Sequence, residues 1–330
     1  MAAAAIGPTI LHAADKAGSR PPVFGRGEHT YELEPNWARL PEGKKFGNTH
    51  GVAEDSQGRM FIHNQSPTGD SVCIFDADGK FIKSWGQQFA AGAHGMTLHK
   101  EGKEEFLYLA ATSLHKIYKT TLDGEVIWEK GAPPLKDVYP DDSKYVPTNI
   151  AIAPNGDFYV ADGYGQHWIH QYTAKGDHVR SWGGAGKEPG KMSCPHGLWV
   201  DTRGDQPLVV VADRANVRLQ YFTLDGKHVK FVTENLRHPC HFRIRGKDLL
   251  IPDLHGRVTL FDKDNKLIAH LGIDSDEEKW DRPEGYPNVP REKRVAGKFI
   301  SPHDACWDAK GNIYVVEWVP DGRVTKLRRA

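Results

Sequence analysis

Cysteine is scarce in this chain of 330 residues. The four cysteines, Cys73, Cys194, Cys240 and Cys306, lie far apart and none belongs to a Cys-x-x-Cys pair, which excludes the usual cysteine-held zinc patterns. Their spacing assigns no disulfide, so they are read as small buried residues. Net charge is absent as well, because 43 Lys and Arg balance 43 Asp and Glu. No basic run is dense enough to follow a nucleic-acid backbone, which argues against nucleic acid as a partner. Beyond the N-terminus nothing approaches the roughly 18 apolar residues that cross a bilayer, so no membrane span is expected. No long segment has the periodicity of an amphipathic helix. Residues 1–14 are apolar and alanine-rich, end in small residues and lack a charged lead. They are read as an export-signal remnant or a tail; the first reading places the protein in the periplasm or outside the cell.

Repetition is what the chain has in quantity. His50-Gly51-Val52, His94-Gly95-Met96, Pro195-His196-Gly197 and Pro302-His303-Asp304 open four copies of one phrase, and Pro147-Thr148-Asn149 opens a fifth with threonine in the histidine slot. The slots fall at 50, 94, 148, 196, about 240 and 303, a spacing of 44 to 63 residues that suits a four-stranded unit rather than a helical pair. Within a copy, apolar stretches alternate with turn signals. Asn155-Gly156 divides Ile150–Ala153 from Phe158–Ala161, and Asp78-Gly79, Asp123-Gly124 and Asp225-Gly226 mark hairpins one step later.

Six such units predict an all-β fold, a six-bladed β-propeller of four-stranded blades occupying residues 15–330 as a single domain. The last unit ends at Arg323–Leu327, one strand short, and the alternating segment His29–Leu33 is expected to supply the missing strand and cover the edge. Between blades five and six, residues 272–298 form a charged, proline-containing insertion, whose Trp280, Tyr286 and Arg291 are candidates to close over a substrate.

In a propeller the innermost strands line one axis, so equivalent slots converge. His94, His196 and His303 then become three neutral imidazoles suited to a divalent metal with an open fourth position, the arrangement of catalytic rather than structural sites. Asp304 adds hard oxygen chemistry that favours a second, calcium-like ion. The competing reading makes each His-Gly pair a turn whose imidazole only bonds nearby backbone.

The phrases resemble NHL-repeat propellers over residues 46–327 and, more narrowly, the catalytic core of peptidylglycine α-amidating lyase. Val160-Ala161-Asp162-Gly163-Tyr164 is similar to the lyase segment with its catalytic tyrosine, and Pro195-His196-Gly197 with Ala212-Asp213-Arg214 to that with a zinc histidine and an arginine. The resemblance implies zinc on His94, His196 and His303, calcium on Asp304 with the carbonyls of Thr49 and Met96, and catalytic roles for Tyr164 and Arg214. It implies cleavage of a peptidyl-α-hydroxyglycine or related small substrate, bound at the central channel, into an amide and glyoxylate. The chain departs from that pattern in places. Asn64 stands where the lyase has another active-site arginine, Gly165, Val210 and Tyr221 replace its disulfide cysteines, and His50 and His241 are candidate additional hub residues. Two other readings are open: a non-catalytic propeller that binds a protein or glycan, and a lactonase-like hydrolase, against which the histidine-rich slots argue.

Overall fold

The structure is a computed structural model that describes residues 21–67, 69–272 and 282–330. The N-terminal run 1–14 and Trp280 lie outside the described residues. Six antiparallel sheets form a ring; blades one to five run in chain order from inner to outer strand, and blade six takes its outer strands from the N-terminal segment. The inner strands are Thr49–Glu54, Ala93–Glu101, Asn149–Ile152, Pro195–Asp201, Arg243–Arg245 and Pro302–Trp307, for blades one to six. The fold is the six-bladed β-propeller that the repeats predict.

The core lies between blades rather than within them. Ala151, Tyr159 and Ile169 of blade three pack on Leu198, Val209, Val211 and Phe222 of blade four, and equivalent apolar clusters occupy the other five blade junctions. A blade is a single sheet with two apolar faces, so neither face is buried until a neighbour stacks on it. The outer rim carries a further latch. The aspartyl-glycine turns of blades two and four present Gly124 and Gly226 with φ of 94° and 86°. A Cβ there would meet the Trp85 or Trp182 ring of the preceding blade at 2.6 or 2.7 Å, so only glycine fits.

Ring closure follows the expectation and extends it. His29–Glu34 pairs with Arg323–Arg329, with Tyr31 opposite Arg329 and Leu33 opposite Leu327. Val23–Arg26 then adds a fifth strand outside it, which the sequence pattern did not signal. In the 272–298 insertion, Tyr286 lies beside blade five and donates to Leu254 O at 3.3 Å, whereas Arg291 faces Asp321 of blade six at 3.9 Å.

The closing strand should be needed for stability. Leu33 is buried against Leu327 in the seam, so Leu33→Ala is expected to lower the unfolding free energy by about 2–5 kcal/mol in denaturant titration. An unchanged midpoint would contradict closure through this strand.

Candidate metal centre

Each of the four histidine-bearing inner strands is irregular at the histidine. The pairing register shifts between Thr49 and Gly51, between Ala93 and Met96, between Pro195 and Leu198, and between Pro302 and Asp304. Blade three, with Thr148 in the slot, pairs without a shift. A bulge bends the strand and re-aims a side chain; here it turns the imidazole out of the blade and toward the axis. The glycine after it has its own cause. A Cβ on Gly95 would lie 2.4 Å from Thr148 O, and one on Gly197 2.2 Å from Cys240 O.

Those same carbonyls hold the imidazoles. His94 Nδ1 donates to Thr148 O at 2.7 Å, His196 Nδ1 to Cys240 O at 2.9 Å and His303 Nδ1 to His50 O at 2.9 Å. In every case the acceptor is the slot residue of the next blade, and the third bond crosses the seam of the ring. This also fixes the register of blade five, whose slot residue is Cys240. A carbonyl only accepts, so Nδ1 carries the proton and Nε2 keeps a lone pair directed inward. Burial holds all three rings neutral: His94 is pushed down to about 3, and His196 and His303 well below the usual histidine range, with neighbouring Arg214 and His50 respectively adding to it. The three ring centroids are 4.7–4.8 Å apart.

His50 breaks the rule for an identifiable reason. The carbonyl it would take, His94 O, is bonded instead by His63 Nδ1 at 3.1 Å. His50 Nδ1 therefore lies 3.2 Å from the lone pair of His303 Nε2, and its own Nε2 is buried and unpartnered among the described residues. One nitrogen each of His50, His94 and His303 lies within 4.8 Å of the others, so four imidazoles ring the axis.

One residue further along the strands the axis changes character. Gly51, Gly95 and Gly197 leave room that Asn149, His241 and Asp304 fill: His241 lies 2.7 Å from Asp304 Oδ1 and 2.9 Å from Asn149 Oδ1. His241 thus belongs to this second level and not to the imidazole ring. Below it stands Arg243, whose Nη2 donates to Val52 O at 3.0 Å, Met96 O at 3.2 Å and Asp304 Oδ2 at 3.1 Å. This is the level at which the resemblance puts calcium. The Thr49 hydroxyl donates to Glu317 O at 2.7 Å, and the oxygens that meet Arg243 Nη2 include the Met96 carbonyl but not that of Thr49.

The opposite side of the ring carries Tyr164 and Arg214. The Tyr164 hydroxyl sits 3.1 Å from His94 Nε2 and 3.0 Å from His196 Nε2, so it spans two of the inward lone pairs. Arg214 Nη2 reaches the same hydroxyl at 3.4 Å and Cys194 Sγ at 3.2 Å, and its Nε is buried and unpartnered among the described residues. Tyr164 is 43% exposed, but its hydroxyl is turned onto the imidazoles, and desolvation there pushes it up to about 12, with Arg214 opposing the shift. Asn64, at the position of the lyase's further arginine, is wholly buried inside blade one and bonds Ser71 O and Gly47 N.

Tyr164 and Arg214 are positioned by a repeated device. Asp162, Asp213, Asp253 and Glu317 end the second strands of blades three to six and are fully buried. Each accepts from backbone N–H groups just ahead of the inner-strand slot: Val146, Ser193, Arg237 and Ile300, at 2.6–2.7 Å. Tyr164 follows two residues after Asp162, and Arg214 immediately after Asp213. The Ala-Asp recurrence was visible in the sequence; its capping role was not. Arg243 and His63 were missed, because neither recurs among the copies.

The fold and hub define a six-bladed β-propeller with a histidine-ringed axis. No protein-family model matches the chain. Among curated proteins it resembles peptidyl-alpha-hydroxyglycine alpha-amidating lyase 1 of Drosophila melanogaster, 29% identical over 274 residues, which is 76% of this chain and 47% of that protein. It also resembles peptidyl-glycine alpha-amidating monooxygenase B of Xenopus laevis, 29% identical over 224 residues, covering 63% of this chain and 22% of that protein. The chain therefore spans less than half the length of these relatives. Solved propellers share the fold: virginiamycin B lyase from Staphylococcus aureus, at a TM-score of 0.58 and 14% identity over 90% of this chain and 99% of that one, and luciferin-regenerating enzyme, at 0.56 and 11% over 90% and 95%.

The His-Gly geometry makes a direct prediction. In Gly197→Ala the added methyl meets the Cys240 carbonyl, so stability is expected to fall by about 1–3 kcal/mol or more, measured by denaturant unfolding. A neutral substitution would show that the blade four and blade five backbones are not held this close.

Proposed function

We propose that this chain is a metal-dependent lyase of the amidating type, cleaving an α-hydroxyglycine-like or related small substrate at the mouth of the channel. The observation that carries the reading is the set of three Nε2 lone pairs on His94, His196 and His303 with the Tyr164 hydroxyl across two of them. The donor set fits a divalent metal, and zinc best. The rings are neutral, each is fixed in one tautomer by a backbone carbonyl, and among the described residues the inward lone pairs meet only groups that can move aside: the Tyr164 hydroxyl at His94 and His196, and His50 Nδ1 at His303. When bound there, a divalent metal supplies Lewis acidity toward the substrate hydroxyl.

The remaining work falls to the chain's own residues. Tyr164, released from the two imidazoles, is placed to give its proton to the departing amide nitrogen and to take the proton of the substrate hydroxyl in its place. The C–N bond breaks with its electron pair going to nitrogen, and the hydroxyl carbon becomes the aldehyde of glyoxylate. A phenol that is protonated at neutral pH before substrate enters suits this shuttle, and Arg214 lowers the cost of the transient phenolate. The Arg214 guanidinium, whose Nε has no partner among the described residues, offers a charged donor for the substrate carboxylate. Similarity to two amidating enzymes supports the choice of substrate class, and residues 15–330 act as one domain in this reading.

Two measurements test it. Purified protein should hold one transition-metal ion per chain, and His196→Ala should lose it. Metal-loaded protein should release amide and glyoxylate from a peptidyl-α-hydroxyglycine, while Tyr164→Phe keeps the metal and loses about 10²–10⁴ in kcat. Full turnover by the Tyr164→Phe protein would remove tyrosine from the chemistry, and a metal-loaded wild type that leaves the substrate intact would overturn the reading.

A further inference from the structure

The oxygen cluster beneath the histidines resembles a divalent-cation site in its ligands. Two backbone carbonyls, Val52 O and Met96 O, and one carboxylate oxygen, Asp304 Oδ2, converge from three different blades, a hard-oxygen set of the type calcium prefers. What they converge on is a guanidinium nitrogen: Arg243 Nη2 stands 3.0, 3.2 and 3.1 Å from them. Its other terminal nitrogen donates to Phe242 O at 2.9 Å, and the guanidinium lies 4.9 Å over the Trp199 ring. Arg243 is 8% exposed and Asp304 2%.

We propose that Arg243 is a built-in axial cation, which takes the structural place of a divalent ion and positions the hub histidines. Three facts make it fit. Charge balances, since one guanidinium neutralises one buried carboxylate, and a guanidinium stays protonated in any protein environment. A calcium ion added to the same oxygens would set three positive charges against one negative charge in a buried space. Geometry matches too, because the two N–H groups of Nη2 are shared among the three oxygens while Nη1 donates to Phe242 O and stands 2.5 Å from His241 Nδ1, so both arms of the planar fork are engaged, which the single ammonium of lysine cannot reproduce. The oxygens are also the right ones. Val52 lies two residues after His50, Met96 two after His94, and Asp304 directly after His303, so one side chain ties the registers of three histidine-bearing strands. The Asp304 carboxylate completes the tie by accepting from Val52 N at 3.0 Å. A hollow lined by Ala53, Leu98, Trp199, Arg243 and Cys306 opens on the far side, so the arginine stands between it and the imidazoles and leaves the Tyr164 side as the way in.

Calcium response separates this from an ordinary buried ion pair. Wild-type protein dialysed into calcium-free buffer should show no calcium uptake by titration calorimetry and no change in melting temperature when millimolar calcium chloride is added. Arg243→Ala leaves the carboxylate and both carbonyls facing a gap, and its melting temperature should fall by roughly 10 °C. Calcium should restore much of that loss and bind one ion per chain, and zinc content measured alongside should recover with it. Stoichiometric calcium binding by the wild type would overturn the proposal, as would an Arg243→Ala protein that is as stable as wild type or indifferent to calcium. If the alanine variant does not accumulate, Arg243→Lys decides together with the wild-type titration. Lysine should keep the calcium indifference while losing part of the stability, and a calcium-binding lysine variant would contradict the assignment.

Discussion

The hydrogen bond from the imidazoles of His94, His196 and His303 to the slot carbonyl of the next blade is the constraint from which the centre follows. It fixes the tautomer, aims Nε2 inward and makes the position of each histidine depend on two blades rather than one. His303 makes that bond across the seam to His50 O, so the geometry of the hub is complete only when the ring is closed. Closure in turn depends on the N-terminal strand paired with Arg323–Arg329. Strand pairing at the rim and lone-pair direction at the axis are thereby parts of one structure.

Along the axis the chain separates two kinds of chemistry by one or two residues of strand. The first level holds neutral nitrogen donors, and the levels below it hold oxygen, amide and guanidinium groups that satisfy one another. The separation comes from the bulges and from which blades carry glycine after the slot. Where Gly51, Gly95 and Gly197 stand, the neighbouring backbone passes close; where Asn149, His241 and Asp304 stand, side chains fill the middle. The buried acids at the ends of the second strands then fix the loops that bring Tyr164 and Arg214 over the ring, so this face of the hub is built from the same repeat as the scaffold.

Much of this was legible in the sequence because it recurs. Six slots at blade spacing, hairpin turns ending in glycine, and a last unit one strand short were enough for the propeller and its closure. The convergence of His94, His196 and His303 followed from the slots alone. What escaped is what does not recur. Arg243 occurs in one blade, in the copy whose slot had no histidine to mark the register, and its partners are backbone carbonyls that carry no sequence signature. His63 sits on a second strand and displaces His50 from the carbonyl it would otherwise use. The second-level placement of His241 depends on Cys240 being the slot, which a hydrogen bond to its carbonyl reveals and its side chain does not.

The central proposal is that the hub holds a metal on His94, His196 and His303, with His50, whose Nδ1 stands 3.2 Å from His303 Nε2, outside the ligand set. Anomalous diffraction at the zinc edge from crystals of metal-loaded protein tests this most directly. One peak on the axis, bonded to Nε2 of His94, His196 and His303 at about 2.0–2.1 Å, is the predicted result. No axial peak, or a peak bound by His50 with His196 left free, would contradict it.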